Sequence, residues 1–385
     1  MSQPQDIFEK QTESVVFSAT LNEAAGITIA APKHSTGKIA PKERHAGIDT
    51  FRVLGSFCVV LTHFFSWYGF EGGGPVYKFF YVYVGNLVHY AVPFFLIVFG
   101  FFLHRSVASG KRLSDIMAKY ATKLLTLYAF WAVVCNVAPY IGLRSVLNRN
   151  FLALTGHFHH LWKAFLANPY DLLITGGTLH LWFLTNMVLG ALWVLAIVKV
   201  RQEKWMFAIG TALYIVHLVT GNYSYFFASA DLGMLDSFFI AAFYLSLGYA
   251  LSQRRISMSV KKGLVLICIG YAMKLAESFL FYSVLGITER QRDVVGQPLV
   301  GLGVFFIAYS MSGLRQGSAI SRFGRYSLGV YAAHIMICEK IFILPIVNEN
   351  GVAKAFSSFL VYGITLGLVY GMSKIPPLRR FVVSY

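Results

Sequence analysis

The sequence predicts an all-α, polytopic membrane protein with about ten transmembrane helices. Of its 385 residues, 56% are hydrophobic and only 13% are charged, and the mean hydropathy is +0.60. Soluble domains carry about 25% charged residues. A bilayer core about 30 Å thick takes roughly 20 apolar residues per helical crossing, so a chain of this length accommodates about ten crossings. Apolar runs of that length and the distribution of basic residues support the same fold.

Ten apolar runs along the chain are long enough to cross a bilayer as helices. The second run contains Gly85, Asn86, His89 and Pro93, which predict a broken or kinked helix. The runs cover approximately residues 49–68, 79–103, 115–138, 178–198, 205–221, 235–252, 263–285, 295–313, 326–347 and 355–373.

The formal net charge of +16 reflects membrane topology rather than nucleic-acid binding. Lys and Arg accumulate in cytoplasmic connections and set the orientation of membrane proteins. With the N-terminus inside, the inner connections carry three times as many Lys and Arg residues as the outer ones. The distribution therefore predicts ten crossings with both termini in the cytoplasm.

Three regions are expected from this pattern. Residues 1–46, which lack a sustained apolar core, are expected to form a flexible cytoplasmic tail. Residues 47–374 form the membrane domain, and residues 375–385 a short cytoplasmic tail. The longest outer connection, 139–177, is long enough for an interfacial or re-entrant element.

That connection also contains a histidine cluster, His157, His159 and His160. The cluster could bind a metal, but no nearby Cys or defined acidic partner completes a ligand set. We favour aromatic-rich packing at the membrane interface, and we predict neither a metal site nor a bound cofactor.

Ionisable groups within a membrane span are costly, so each one indicates a functional site. Arg52 and His63 are the clearest pair. They are 11 residues apart. On an α-helix this spacing places both on one face at heights differing by about 16 Å. They should line one groove without touching each other.

This pair predicts a division of chemical roles. The planar fork of an arginine at the inner end suits a phosphate-rich donor. A histidine deeper in the membrane suits general-base catalysis, because it can accept a proton from a hydroxyl at neutral pH. The alternatives are that His63 only links helices by hydrogen bonding and that Arg52 extends to the inner headgroups.

A second group of basic residues precedes and begins the third span. Lys119 and Lys123 lie one helical turn apart and follow Arg105, Lys111 and Arg112. The group could hold the phosphates of a CoA donor, or it could serve topology and lipid contact.

Other charged residues within the spans favour structural roles. Lys274 and Glu277 can pair at i, i+3, and Glu339 lies beside Lys340. His217 is ambiguous from its chemistry alone.

Four motifs give the chain a resemblance to a known family. Ile48 to Phe64 reads IDTFRVLGSFCVVLTHF, with ten residues between Arg52 and His63. Val92 to Leu103 reads VPFFLIVFGFFL, His180 to Leu184 reads HLWFL, and Ser327 to His334 reads SLGVYAAH. In this order the motifs resemble those of the membrane acyltransferase-3 family, across roughly residues 45–373. Leu96 and Phe99 depart from the second motif, where the family usually has Phe and Ser.

The resemblance implies a ten-helix transferase in the bacterial inner membrane, surrounded by membrane lipids, that O-acylates surface glycans. Acetyl-CoA on the cytoplasmic side would be the donor, and a glycan or lipid-linked glycan presented outside would be the acceptor. His63 would be the catalytic base and Arg52 would position the donor, together with Arg105, Lys119 and Lys123. By the same resemblance His180, Trp182 and His334 would contact the acceptor.

Several alternatives remain open at this point. A polytopic glycan exporter would also place Arg, Lys and His within its spans, and a non-catalytic scaffold would need no groove between Arg52 and His63. Within the enzyme class, the acyl group could be acetyl or succinyl. The acceptor could be lipopolysaccharide O-antigen or an exopolysaccharide.

Overall fold

The protein is an all-helical membrane domain. The computed structural model describes residues 45–66, 83, 85–141, 151–227, 232–287, 293–313, 319–342, 344, 347 and 351–383, and no strand occurs among them. The predicted N-terminal tail therefore lies outside the described residues, except for His45 and Ala46 at its end. The helices are α1 (Ala46–Ser66), α2 (Ala91–Ala108), α3 (Leu113–Ile141), α4 (Phe151–Ala167), α5 (Pro169–Thr175), α6 (Trp182–Lys199), α7 (Glu203–Thr220), α8 (Leu235–Gln253), α9 (Val260–Phe279), α10 (Gln297–Ser310), α11 (Ala319–Phe323), α12 (Ser327–Phe342), α13 (Gly351–Lys374) and α14 (Pro376–Arg379).

Each of the ten predicted spans overlaps one of these helices. Among the described residues, 6 helical segments are long and apolar enough to cross a membrane, namely Gly85–Ala108, Leu113–Tyr140, Leu179–Lys199, Leu235–Gln253, Val260–Val284 and Phe356–Lys374. The other four predicted spans lie on α1, α7, α10 and α12. The protein is thus a polytopic, all-α membrane protein, and the count of ten crossings stays a prediction.

The predicted break in the second apolar run is confirmed. A short 3-10 turn, Gly85–Val88, precedes α2, which begins at Ala91. Pro93 lies in the first turn of α2, where its missing N–H leaves no hydrogen bond unmade. The long connection 139–177 contains two further helices, α4 and α5.

Burial divides the helices into interior and peripheral ones. The most apolar windows of α6 and α8 are each 61% buried, whereas those of α9 and α13 are only 22% and 28% buried. Because exposed leucine, isoleucine and phenylalanine side chains line α9 and α13, these two helices present apolar surface suited to lipid. α1 lies within the bundle and contacts α2, α10, α11, α12 and α13.

α2 and α8 pack closely around two glycines. A side chain on Gly100 would meet the backbone carbonyl of Leu245, and one on Gly248 would meet that of Ile97. Small residues let helix backbones approach closely in a membrane. Gly100 belongs to the VPFFLIVFGFFL motif, which therefore has a structural purpose here.

The C-terminal segment folds back onto α3. The Trp131 indole donates to the carbonyl of Phe381 at 3.0 Å, and the rings of Phe130 and Phe381 stack with centroids 4.1 Å apart. Val382 is fully buried. The segment predicted as a tail is thus packed into the membrane domain as far as Val383, the last described residue.

Candidate active site

An ion pair occupies the first turns of α1. The Arg52 guanidinium donates to the Asp49 carboxylate at 3.3 Å, a contact that the i, i+3 spacing allows. Gly324 lies directly against the backbone of Asp49, so that the short turn before α12 reaches α1 here. The Arg52 side chain is 25% exposed. It is thus oriented by Asp49, and a quarter of its side-chain surface stays exposed.

His63 lies three turns further along α1, next to α12. The centroids of the His63 and His334 rings are 4.9 Å apart. α1 and the segment from α11 to α12 run side by side in the same direction, because Asp49 meets Gly324 and His63 meets His334. Arg52 and His63 both lie on α1, the single helix that the sequence predicted for them.

His180 reaches the same place from a sharp turn before α6. Gly176 and Gly177 have φ angles of 60° and 76°, which glycine adopts without strain. The Asn136 amide donates to the Gly176 carbonyl at 2.7 Å and so anchors this turn to α3. The chain then enters the 3-10 turn Leu179–Leu181, which carries His180.

Three histidines distant in sequence therefore form one cluster, His63, His180 and His334. The His180 and His334 ring centroids are 5.5 Å apart. The His180 Nε2 lies 3.1 Å from the carbonyl of Ala332, and the Tyr331 hydroxyl donates to the His180 carbonyl. His334 is fully buried, and its Nδ1 lies 2.6 Å from the Tyr331 carbonyl. Because carbonyls only accept, these contacts assign a proton to each of those two ring nitrogens.

The sequence did not single out Tyr331, Ser56 or Tyr362. Tyr331 lies three residues before His334 in the quoted SLGVYAAH motif, and helical spacing alone could have indicated it. Ser56 lies four residues after Arg52, on the same face of α1, and its hydroxyl is 3.2 Å from that of Tyr362 on α13. Tyr362 could not be found from the sequence, because its partner lies on a distant helix.

The predicted donor-binding residues have different surroundings. Arg105 is exposed at the end of α2, 3.1 Å from the His45 ring and 3.2 Å from the Tyr309 hydroxyl. Lys119 is exposed and extends over the Tyr120 ring. The Lys123 ammonium instead donates to the Val383 carbonyl at 3.1 Å. Lys123 thus anchors the C-terminal segment.

Two further predictions concern Trp182 and the histidines of the connection 139–177. Trp182 follows His180 by two residues and is half-buried. Its ring lies edge-on to the ring of Phe183. His157 stacks on Tyr140 and lies 2.9 Å from the Asn136 side-chain oxygen. His157 therefore takes part in aromatic packing, as expected for the connection 139–177.

Apolar helices surround a cluster of buried ionisable side chains. The protein is therefore a polytopic integral-membrane protein. The family model described as an acyltransferase domain, Acyl_transf_3, matches residues 45–373. Since this match covers most of the chain, the protein belongs to the membrane acyltransferase-3 family. Membership supports acyltransferase activity at a membrane.

One curated relative shares part of the sequence. An "Amino-acid racemase" of Enterococcus faecalis is 26% identical over 182 residues, which are 47% of this chain and 22% of that protein. The chain thus spans about a fifth of that relative's length. No solved structure matches the chain.

Proposed function

We propose that this acyltransferase is an O-acetyltransferase of the bacterial inner membrane. It moves the acetyl group of cytosolic acetyl-CoA to a sugar hydroxyl of a surface polysaccharide, either O-antigen or exopolysaccharide. The supporting observation is the arrangement of α1, which carries a partly exposed Arg52 near one end and His63 within a histidine cluster three turns away.

The proposal includes a topology of ten crossings with both termini in the cytoplasm. The excess of Lys and Arg in alternate connections supports this orientation. Arg52 then lies towards the cytoplasm and His63 deeper in the membrane. A donor arriving from inside and an acceptor arriving from outside meet near His63.

In the proposed reaction His63 acts as the general base. A ring nitrogen of His63 takes the proton of the sugar hydroxyl while the hydroxyl oxygen attacks the thioester carbonyl carbon. The carbon–sulfur bond then breaks, and the CoA sulfur receives the proton from the His63 imidazolium. The products are the O-acetyl ester and free CoA.

Cationic side chains hold the donor in this proposal. The guanidinium of Arg52 binds phosphate oxygens of CoA, and exposed Arg105 and Lys119 extend the positive surface on the same side. Lys123 stabilises this surface indirectly, because its ammonium donates a hydrogen bond to the Val383 carbonyl and holds the C-terminal segment.

Residues around the cluster receive the acceptor. Trp182, half-buried beside the turn that carries His180, offers an aromatic face to the sugar ring. His180 and His334 line the position where the acceptor hydroxyl approaches His63.

The test measures glycan-bound O-acetyl groups by proton NMR of purified surface polysaccharide. Cells lacking the gene are complemented with wild type, His63→Ala or Arg52→Ala at matched membrane levels. His159→Ala and Arg254→Ala are the controls, because both side chains are exposed. We expect acetyl groups with wild type and both controls, and a loss with the other two variants.

The same experiment separates transfer from transport. If O-acetyl content is unchanged without the gene while the amount of exported polysaccharide falls, the protein is a glycan exporter. If His63→Ala restores acetylation as well as wild type does, the catalytic assignment is wrong.

A further inference from the structure

One end of the helix bundle carries cationic side chains from several helices. The start of α1 meets the end of α2 there, because the Arg105 guanidinium lies 3.1 Å from the His45 ring. The turn before α12 joins the same end, since Gly324 lies directly against the backbone of Asp49. The Asp49 carboxylate in turn pairs with Arg52 at 3.3 Å. The turn before α12 therefore lies at the end of the bundle that carries both Arg52 and Arg105.

Two tyrosines at this end join α12 to α13. The rings of Tyr326 and Tyr370 lie edge-on to each other, with centroids 5.9 Å apart. The Ser373 hydroxyl donates to the Tyr326 hydroxyl at 3.5 Å. Tyr326 directly precedes α12 and is buried, whereas Tyr370 lies one turn before the end of α13. The tyrosine pair therefore fixes the start of α12 to the end of α13.

A cation lies over each ring of this pair. The guanidinium carbon of Arg325 is 4.8 Å from the Tyr326 ring centroid, and the Lys374 ammonium is 4.7 Å from that of Tyr370. Both cationic residues are exposed. Aromatic rings attract cations placed over their faces. Two positive charges from different helices are thus held on adjoining rings at the surface of the bundle.

We propose that Arg325 and Lys374 bind the 3′-phosphate of the CoA donor. This inference rests on the proposed use of acetyl-CoA. CoA carries its phosphates in two groups, a diphosphate and a phosphomonoester on the 3′ oxygen of the ribose. The ribose alone separates the two groups. A donor whose diphosphate binds Arg52 therefore brings its 3′-phosphate to a neighbouring surface at the same end of the bundle.

The chemistry of the two side chains suits a phosphomonoester. Such a group carries about two negative charges at neutral pH, which two cations balance. A guanidinium has five N–H donors in a fork, so Arg325 can hold two phosphate oxygens while it keeps its contacts within the protein. The Lys374 ammonium adds a compact point charge.

The experiment compares acetyl-CoA with acetyl-3′-dephospho-CoA, which differs from it only by the 3′-phosphate. The full-length protein is reconstituted in phosphatidylcholine liposomes, with or without phosphatidylglycerol. De-O-acetylated polysaccharide from cells lacking the gene is the acceptor, and initial rates give kcat and KM for both donors.

We expect wild type to prefer acetyl-CoA in kcat/KM. Arg325→Gln and Lys374→Gln should each lower that preference about tenfold by raising KM for acetyl-CoA, since each removes a charged hydrogen bond to the phosphate. Their kcat/KM for acetyl-3′-dephospho-CoA should match wild type. Arg254→Gln is the control, because Arg254 is an exposed cation beyond the end of α8, and it should keep the wild-type preference.

The possible failures are distinguishable. If wild type transfers acetyl from neither donor to the polysaccharide, the proposed function falls and this inference falls with it. If wild type is active but both variants keep its preference for acetyl-CoA, the 3′-phosphate site is overturned and the proposed function stands. If the variants lose rate equally with both donors, and only with phosphatidylglycerol present, the two cations bind a lipid headgroup and their assignment to the donor is wrong.

Discussion

The hydroxyl groups of Tyr362 and Ser56 lie 3.2 Å apart and join α13 to α1 between Arg52 and His63. The Tyr362 hydroxyl is also 3.3 Å from the carbonyl of Val53. α13 is mostly exposed apart from this side. The contact therefore fixes a peripheral helix to the face of α1 that carries the candidate active site.

Removing the Tyr362 hydroxyl should weaken this attachment. We expect Tyr362→Phe to lower the free energy of unfolding by about 0.5–1.5 kcal/mol. In the Tyr362→Phe background, Ser56→Ala should lower the free energy of unfolding by less than it does in wild type, because both substitutions break the same hydrogen bond. Thermal unfolding of the detergent-solubilised protein measures the cycle, with exposed Tyr225→Phe as the control. Fully additive effects would contradict a direct interaction.

Arg52 should act mainly on donor affinity. Hydrogen bonds to charged groups contribute about 1.5–3 kcal/mol, so we expect Arg52→Ala to raise KM for acetyl-CoA roughly tenfold to a hundredfold. Asp49→Asn should cause a smaller rise, since it loosens the orientation of Arg52 without removing its charge. Initial rates at varied acetyl-CoA concentrations test this. A fall in kcat at constant KM would instead place Arg52 in the chemical step.

Gly100 should tolerate no side chain. A Cβ atom there would lie far inside contact distance of the Leu245 backbone, so Gly100→Ala must separate α2 from α8. We expect a loss of about 1–3 kcal/mol in stability. Gly363→Ala is the matched control, because it lies within α13 with no atom near its Cβ position. The control should be neutral or stabilising through helix propensity, and equal losses in both variants would refute the packing argument.

His217 should stabilise the packing of α7 against α8 and against the segment that precedes α10. Its ring nitrogens lie 2.6 Å from Asp236 and 3.6 Å from Asp293. His217→Leu leaves two carboxylates without the ring between them, and we expect it to cost about 3 kcal/mol. Adding Asp236→Asn should recover part of the loss by reducing repulsion. Thermal unfolding at neutral pH measures both variants, and a double variant less stable than His217→Leu would argue against this account.

Features that depend only on positions within one helix could be predicted from the sequence. The interval between Arg52 and His63 fixed their relative placement on α1, because helical geometry converts sequence distance into position. The apolar runs gave the positions of the helices, and Pro93 with its neighbours gave the break before α2. These inferences need only local geometry and the thickness of a membrane.

Features that depend on contacts between distant helices could not be predicted in this way. Nothing in the sequence states that His334 lies beside His63, or that Asp236 and Asp293 meet His217. The donor-binding role of Lys123 stays a prediction, and the contact of its ammonium with the Val383 carbonyl was not foreseen. Its contact with Val383 required the C-terminal segment to fold back, which no periodicity indicates.

The attachment of the C-terminal segment to α3 also concerns the order in which contacts can form during synthesis. Trp131 and Lys123 are synthesised early, yet their partners Phe381 and Val383 leave the ribosome much later. The same delay separates His63 from His334. The first helices are therefore synthesised well before the residues that complete these contacts in the folded protein.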